Sequence, residues 1–219
     1  MKKLKIAVVV TARPSYSRVR SLLKAINKDE RLELQLILSS SVLINKYGQV
    51  SSVIEKDGFR ISEKLWNVID GANITVPAKT TGLAIIEISS ALERLKPDIV
   101  ITIADRYETI AASIAASYQN IPLAHLQGGE VTGNIDEKVR HANTKLADLH
   151  LVSNLDSFNR VIKLGEDKKS VFITGCPSID IANNVKLNNN NDIDFSKYGG
   201  LGQALDTSSG YLVVLQHPV

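Results

Sequence analysis

Short runs of apolar, β-branched residues alternate with stretches of helical periodicity along most of the chain. The apolar runs predict strands at 6–10, 34–39, 99–103, 123–125, 149–152 and 171–174. Helical patterns lie between them, at about 16–27, 80–95, 107–118, 136–148 and 155–164. Several of these strands are apolar at nearly every position, as parallel strands covered on both sides are. The alternation therefore predicts an α/β fold: a Rossmann-like parallel sheet with helices on both faces.

The pattern changes between residues 186 and 210. Asparagine occupies positions 188–191, and four glycines follow between 199 and 210. Because this stretch has too few apolar residues to offset the entropy of ordering it, we predict a linker after a first domain at 1–185. A new apolar run begins at Tyr211, and we expect 211–219 to start a second α/β domain that is truncated here. The alternative is that this run completes the first sheet at its edge.

Composition and charge narrow the class of protein. The 219 residues are 44% hydrophobic and 22% charged, with a net charge of +3. Disorder of the whole chain and electrostatic binding of nucleic acid are therefore not expected. A single cysteine, Cys176, excludes an internal disulfide and indicates a cytoplasmic location. The first apolar run has five residues, too few for a secretory signal, and no run is long enough to span a membrane.

Polar residues and glycines follow four of the predicted strands. Ligands of open parallel sheets bind outside the carboxyl ends of the strands, so these loops should meet at one edge. Two arginines, several carboxylates and a set of glycines are found there, in the loops at 11–15, 104–108, 126–130 and 175–178. This edge is the predicted ligand site.

Asp105 and Arg106 follow the strand at 99–103. A carboxylate in this position is either the N-cap of the next helix or an acid or base that faces the cleft. Arg106 is a candidate partner for it. Arg13, after the first strand, is a candidate phosphate ligand, because a guanidinium binds phosphate oxygens with two hydrogen bonds. The alternative is an ordinary surface arginine.

The segment after the strand at 123–125 combines two glycines, Glu130 and a helix. Along that helix Ile135, Val139, Ala142 and Leu146 form one stripe, while Glu137, Arg140, His141 and Thr144 point the opposite way. Two interpretations remain open for the polar face. It is either a solvated surface with a Glu137–Arg140 pair, or part of the site.

Several sites are not indicated by the sequence. No glycine fingerprint of a dinucleotide site follows the first strand, and no P-loop motif occurs. The four histidines lack the spacing of metal ligands, so neither a metal nor a cofactor is predicted. Cys176 is expected to be a packing residue rather than a nucleophile, and Ser178 is a candidate helix N-cap.

These motifs resemble the N-terminal domain of UDP-N-acetylglucosamine 2-epimerases, particularly the hydrolysing branch. The most specific block is HLQGGEVTG at 125–133, continued by IDE at 135–137 and RH at 140–141. Other similar blocks are TARPS at 11–15, ADRYE at 104–108, TGCPS at 174–178 and LQHP at 215–218. The resemblance covers most of the chain and implies the N-terminal half of a two-domain, glycosyltransferase-B-type fold. It also implies a homodimer for the full-length protein.

The resemblance implies a nucleotide-sugar substrate that loses UDP by C1–O cleavage coupled to removal of the C2 proton. Hydrolysing members then add water to give N-acetylmannosamine. By motif position, the acid and base candidates are Asp105, Glu130 and Glu137. The substrate-binding candidates are Arg13, Arg106, Gln127, Arg140, His141 and His217.

The sequence departs from the family pattern at two positions. Ala104 stands where the family has glycine, and Gln127 stands where many relatives have glutamate. The resemblance implies that a second domain supplies most of the uridine site, so we expect the 219-residue chain alone to bind UDP weakly or not at all and to have no turnover. The alternatives are a glycosyltransferase of the same architecture and a non-catalytic module that binds a nucleotide sugar.

Overall fold

The computed structural model describes residues 2–48, 50–103, 106–133, 135–187, 212 and 214–216. In these ranges the strands are β1 (Leu4–Val10), β2 (Leu32–Ser39), β3 (Ile61–Leu65), β4 (Ile99–Ile103), β5 (Leu123–Leu126), β6 (Leu149–Val152) and β7 (Val171–Ile173). The helices are α1 (Arg13–Lys28), α2 (Val50–Lys56), α3 (Thr75–Leu95), α4 (Ile110–Tyr118), α5 (Ile135–Leu146), α6 (Leu155–Lys163) and α7 (Pro177–Leu187). None of these helices has the length and apolar character needed to cross a membrane.

All strand pairs of the described sheet are parallel, in the order β3-β2-β1-β4-β5-β6-β7. Alternate residues of β1 belong to two hydrophobic cores, one on each face of the sheet. Val8 and Val10 pack with α1 and α2, while Ala7 and Val9 pack with α3 and α4. Both faces of the sheet are thus covered, which explains why the central strands are apolar throughout. The prediction of a Rossmann-like parallel sheet with helices on both faces is confirmed.

Several boundaries differ from the predicted ones. The sequence pattern missed α2 and β3, and it placed the start of α3 at residue 80 instead of Thr75. The predicted helix at 107–118 is divided into a 3-10 turn at Tyr107–Thr109 and α4. Ser178 is not an N-cap, because α7 already begins at Pro177. Proline suits the first helical position, where a missing N–H costs no hydrogen bond.

The C-terminal predictions lie mostly outside the described residues. α7 ends at Leu187, so it extends two residues into the predicted linker at 186–210, whose remainder is not described. Of the predicted second-domain segment 211–219, only residues 212 and 214–216 are described. These four residues are exposed and are not in a strand. The division into a domain, a linker and the start of a second domain stays a prediction.

Candidate active site

The strand order reverses between β1 and β4, which are neighbours in the sheet although β2 and β3 separate them in the sequence. Chain segments leave β1 toward one side of the sheet and β4 toward the other. This reversal opens a crevice at the carboxyl ends of the two strands, where open α/β sheets bind their ligands. The fold therefore places the site beside Thr11, after β1, and Arg106, after β4.

A cavity of about 580 Å³ lies at this point. Arg13 enters it from the β1 side and Arg106 from the β4 side. The rest of its wall comes from the segments that follow β1, β2 and β3, at residues 12, 14, 41, 47, 68–74 and 76–77, with Tyr107. The volume suits a small molecule. Two cations from opposite sides of a topological switch point favour an anionic ligand.

α1 begins at the cavity, since Ala12, Arg13 and Pro14 are among the residues that line it. Its N-cap, Ala12, is extended and provides no side-chain hydrogen bond, and its first turn has no acidic residue. An N-terminus of this kind carries partial positive charge, and anions are stabilised there. The charge of Arg13 and the partial charge of the helix N-terminus therefore both make the β1 side of the cavity positive.

Arg106 is held by a carboxylate that the sequence analysis did not single out. Its Nε donates to Oε1 of Glu108 over 3.0 Å, and the Glu108 side chain is fully buried while Arg106 is 41% exposed. Burial raises the pKa of Glu108, and the charge of Arg106 offsets this only in part. The other carboxylate oxygen of Glu108 has no hydrogen-bond partner among the described residues.

Replacing Glu108 with glutamine should stabilise the chain at neutral pH. The folded-state pKa of Glu108 lies above its unfolded value, so folded protein holds the proton more tightly. The free energy of unfolding of the wild type therefore falls as pH rises from about 4.5 through the folded-state pKa. The glutamine variant does not show this loss, so its advantage over the wild type is largest at high pH. Thermal midpoints of both proteins from about pH 4 to 8 check this, since ~1 kcal/mol corresponds to roughly 2–4 °C at this size.

The two proteins should have similar midpoints at the acid end of that range, where Glu108 is protonated in both states. Equal midpoints at every pH would contradict the prediction, and so would a gap that widens toward acid.

The loop after β5 has positive φ angles, and it makes close contacts that require glycine. Gln127 and Gly129 both have positive φ, at 62° and 79°. A Cβ atom on Gly129 would lie 2.4 Å from the carbonyl oxygen of Ser157, and one on Gly128 would lie 2.9 Å from Nδ1 of His125. Arg160 also donates to the Gly129 carbonyl. Both glycines therefore permit the loop to pack against β5, α5 and α6.

Glu130 ends this loop with a half-buried carboxylate. Its Oε1 accepts a hydrogen bond from Ser153 Oγ over 2.7 Å. Its carbonyl accepts one from Nη1 of Arg140 over 2.8 Å. The same nitrogen lies 3.4 Å from Thr132 Oγ1. Ser153 thus orients the carboxylate and Arg140 holds the backbone that carries it, and a general acid or base needs such a defined position.

Glu137 has a different environment. Its Oε2 accepts hydrogen bonds from the backbone N–H groups of Thr132 and Gly133, over 2.9 and 2.6 Å. These bonds hold the pKa of the Glu137 carboxyl below its ordinary value. His141 Nε2 lies 3.8 Å from Oε1. A carboxylate of lowered pKa remains ionised, which suits a base or an electrostatic contact better than an acid.

The predicted polar face of α5 is partly buried and is not an ordinary solvated surface. Arg140, Asn143 and Thr144 are at most 1% exposed, whereas Ile135, from the predicted apolar stripe, is 60% exposed. Glu137 and His141, the other two members of the predicted polar face, are about a quarter exposed. Thr144 Oγ1 lies 3.2 Å from Nδ1 of the buried His125, and it donates to the Arg140 carbonyl. These polar groups satisfy one another behind the β5 loop.

The predicted site residues fall into three groups. Arg13 and Arg106 line the cavity, and Glu130, Glu137, Arg140 and His141 surround the loop after β5. Gln127 belongs to the second group, at the start of this loop; it is buried and donates from Nε2 to Sγ of the half-buried Cys176 over 3.3 Å. The third group, Asp105 and His217, lies outside the described residues.

Two further parts of the site were missed from the sequence. One is the cavity wall at 68–77, which depends on the unrecognised strand β3; the other is Glu108. A glutamate just before an alanine-rich helix was the available signal for Glu108. No group of three or more His, Cys, Asp or Glu side chains suited to a metal ion occurs in the described ranges.

Three comparisons with known proteins agree with this architecture. The UDP-N,N'-diacetylbacillosamine 2-epimerase (hydrolyzing) of Legionella pneumophila is 32% identical over 98% of this chain and 55% of its own length. The GDP/UDP-N,N'-diacetylbacillosamine 2-epimerase (hydrolyzing) of Campylobacter jejuni is 35% identical over 89% of this chain and 50% of its own. The chain thus spans about half the length of these curated relatives.

The solved structures support the same fold. The UDP-GlcNAc 2-epimerase from Neisseria meningitidis, bound to UDP-GlcNAc, superposes with a TM-score of 0.75 at 24% identity, over 89% of this chain and 52% of that chain. The predicted fold class, one Rossmann-like half of this architecture, is confirmed. The profile of the family described as UDP-N-acetylglucosamine 2-epimerase matches residues 24–219. This chain belongs to the UDP-N-acetylglucosamine 2-epimerase family.

Proposed function

We propose that this chain forms the N-terminal part of a hydrolysing epimerase. The enzyme would convert a UDP-linked 2-acetamido sugar into UDP and the free sugar, inverted at C2. The observation that supports it most is the pair Arg13 and Arg106 on either side of the switch-point cavity, beside the N-terminus of α1. Three sources of positive charge converge where a diphosphate leaving group would need them.

The reaction has two balanced steps. In the first, a base removes the C2 proton while the C1–O bond breaks, and the bond electrons leave with UDP, so that a glycal with a C1–C2 double bond remains. In the second, water adds its hydroxyl to C1 and a proton returns to C2 from the opposite face. The first step needs a base and cations near the diphosphate, and the second needs an acid and a base.

We assign the roles by position in the site. Arg13 and Arg106 would bind the diphosphate, and Glu130 would transfer protons at the sugar. Glu137 and Asp105 are the other acid and base candidates. Gln127, Arg140, His141 and His217 stay proposed substrate contacts; the described contacts of Arg140 are with the loop that carries Glu130.

The hydrolysing outcome is supported by the names of the two curated relatives. It is tested with an extended protein, in which residues 1–219 are followed by the half of the Legionella relative that this chain does not cover. UDP-N-acetylglucosamine and its 2,4-diacetamido-6-deoxy counterpart are supplied separately. Free 2-epimeric sugar plus UDP is the expected result. A product that still carries UDP, or a requirement for an acceptor sugar, would contradict the proposal.

We also propose that the 219-residue chain has no turnover by itself and binds UDP weakly. The linker at 186–210 would lead to a second domain, from 211 onward, that supplies most of the uridine site. Titration of UDP into the chain by calorimetry, beside the extended protein, measures the difference. UDP release by the chain above a buffer blank would contradict this proposal. A cytoplasmic location is proposed with it, in line with the single cysteine.

A homodimer of the full-length protein is the proposed assembly. The outer face of α3 supports it, because Leu83 and Ile86, one turn apart, are 41% and 62% exposed. Light scattering on the extended protein should show a dimer that a Leu83→Glu, Ile86→Glu double variant weakens. Val53→Glu, at a half-exposed position of α2, is the control and should remain dimeric. An unchanged dimer in the double variant would place the interface elsewhere.

A further inference from the structure

Asn143 is a polar residue at a fully buried position of α5. Its Oδ1 accepts a hydrogen bond from Ser113 Oγ of α4 over 2.8 Å. Its Nδ2 donates to Oγ1 of Thr109, in the 3-10 turn after β4, over 2.9 Å. Burying an amide is costly unless it is hydrogen-bonded. This side chain therefore connects α5 both to α4 and to the turn that precedes it.

The hydrogen bonds continue from Thr109 to the site. Thr109 Oγ1 donates to the carbonyl oxygen of Arg106 over 2.8 Å, and the Thr109 backbone N–H donates to the same oxygen. A threonine hydroxyl has one proton. Because that proton is given to Arg106, the hydroxyl can only accept from Asn143. Asn143 therefore donates to Thr109, and Thr109 donates to Arg106. We call these two successive hydrogen bonds the relay.

The relay holds the backbone of Arg106, and Glu108 holds its side chain. The relay fixes the carbonyl, while the buried carboxylate of Glu108 accepts from Nε. With its carbonyl and its Nε both held, Arg106 lines the cavity. We propose that Asn143 is a positioning residue that orients Arg106 through Thr109. Its importance for catalysis rests on the proposed function, but its effect on Arg106 does not.

Two variants break the relay with little change in side-chain volume. Thr109→Val removes the hydroxyl. Asn143→Asp replaces the Nδ2 donor with an oxygen, so the Thr109 proton has to turn toward Asp and away from the Arg106 carbonyl. Two controls keep the relay. Thr109→Ser retains a hydroxyl, and Ser113→Ala removes the hydrogen bond to Oδ1 of Asn143 while leaving the one to Thr109.

The first readout is the Nε–Hε signal of Arg106 in a nitrogen-15 correlation spectrum of the 219-residue chain, assigned with Arg106→Lys. In both controls the signal should keep its chemical shift. In Thr109→Val and Asn143→Asp it should move, and its exchange with water should accelerate about tenfold or more as the hydrogen bond to Glu108 loosens. Should one relay variant fail to fold by circular dichroism, the other decides. An unmoved signal in a folded relay variant would overturn the proposal.

The second readout is kinetic and uses the extended protein. We expect Thr109→Val to raise KM for the UDP-sugar about tenfold, as loss of a well-placed cationic contact would, with a smaller change in kcat. In an Arg106→Lys background the same substitution should add little, because both changes act on one contact. Additive effects would contradict positioning through Arg106. An extended protein without UDP release would contradict the proposed function alone, and the spectrum would still decide the role of Asn143.

Discussion

Replacing Glu130 with glutamine should lower kcat for UDP release by about 100-fold to 10,000-fold, the usual contribution of a general acid or base. Glutamine keeps the shape of the side chain, and its amide oxygen can still accept the hydrogen bond from Ser153. The backbone contact from Arg140 is also unaffected. The variant therefore removes proton transfer and leaves the loop in place. Steady-state UDP release by the extended protein measures it, and KM should change little.

Ser153→Ala is the matched control for this variant. It removes the hydrogen bond that orients the carboxylate but leaves the ionisable group, so kcat should fall less than about tenfold. Glu137→Gln completes the set. If Glu130→Gln retains half of the wild-type kcat while Glu137→Gln loses activity, the proton-transfer role belongs to Glu137 and our assignment of Glu130 is wrong.

The environments of the two glutamates explain why Glu130 is the stronger candidate. Both backbone donors at Thr132 and Gly133 point at one oxygen of Glu137, and they bind the ionised carboxylate more strongly than the neutral acid. Oε1 of Glu130 instead accepts a hydrogen bond from the Ser153 hydroxyl. A hydroxyl can rotate to donate or accept, whereas a backbone N–H can only donate. The Ser153 hydroxyl can therefore turn to follow a proton transfer at Glu130, whereas the backbone donors at Glu137 cannot.

The strands of the sheet interior could be predicted because burial on both faces requires apolar residues at every position. The sequence pattern missed β3 because it is an edge strand, with Ser62, Glu63 and Lys64 at its centre. Charged residues are common at sheet edges, where they discourage pairing with other chains. The cavity wall that follows β3 was missed for the same reason.

The inner face of α5 is a second feature that the sequence pattern could not predict. Helical periodicity divided α5 into an apolar and a polar stripe, but the buried face combines Val139 with Arg140, Asn143 and Thr144. That outcome depends on partners far away in the chain, since Asn143 bonds to Thr109 and Ser113, and Thr144 contacts His125. Spacing within a helix carries no information about such partners. Their hydrogen bonds make a buried polar face possible.

Gly129→Ala should destabilise the chain by about 2–5 kcal/mol. Two costs add up: roughly 1–2 kcal/mol for an L-residue in the left-handed region, and roughly 1–3 kcal/mol for forcing an atom into packed structure. The second cost arises because the new Cβ would meet the Ser157 carbonyl oxygen, which belongs to the backbone of α6 and cannot rotate away. Urea unfolding followed by circular dichroism measures the change.

Gly133→Ala separates the two costs within the same loop. Gly133 has a φ of 76°, close to the 79° of Gly129, but a Cβ added there would meet no atom within 4 Å. This variant should therefore lose only the conformational part, about 1–2 kcal/mol. Equal losses in the two variants would mean that α6 moves aside at little cost. The loop that carries Glu130 would then be held by Arg140 and Ser153 rather than by close packing on Ser157.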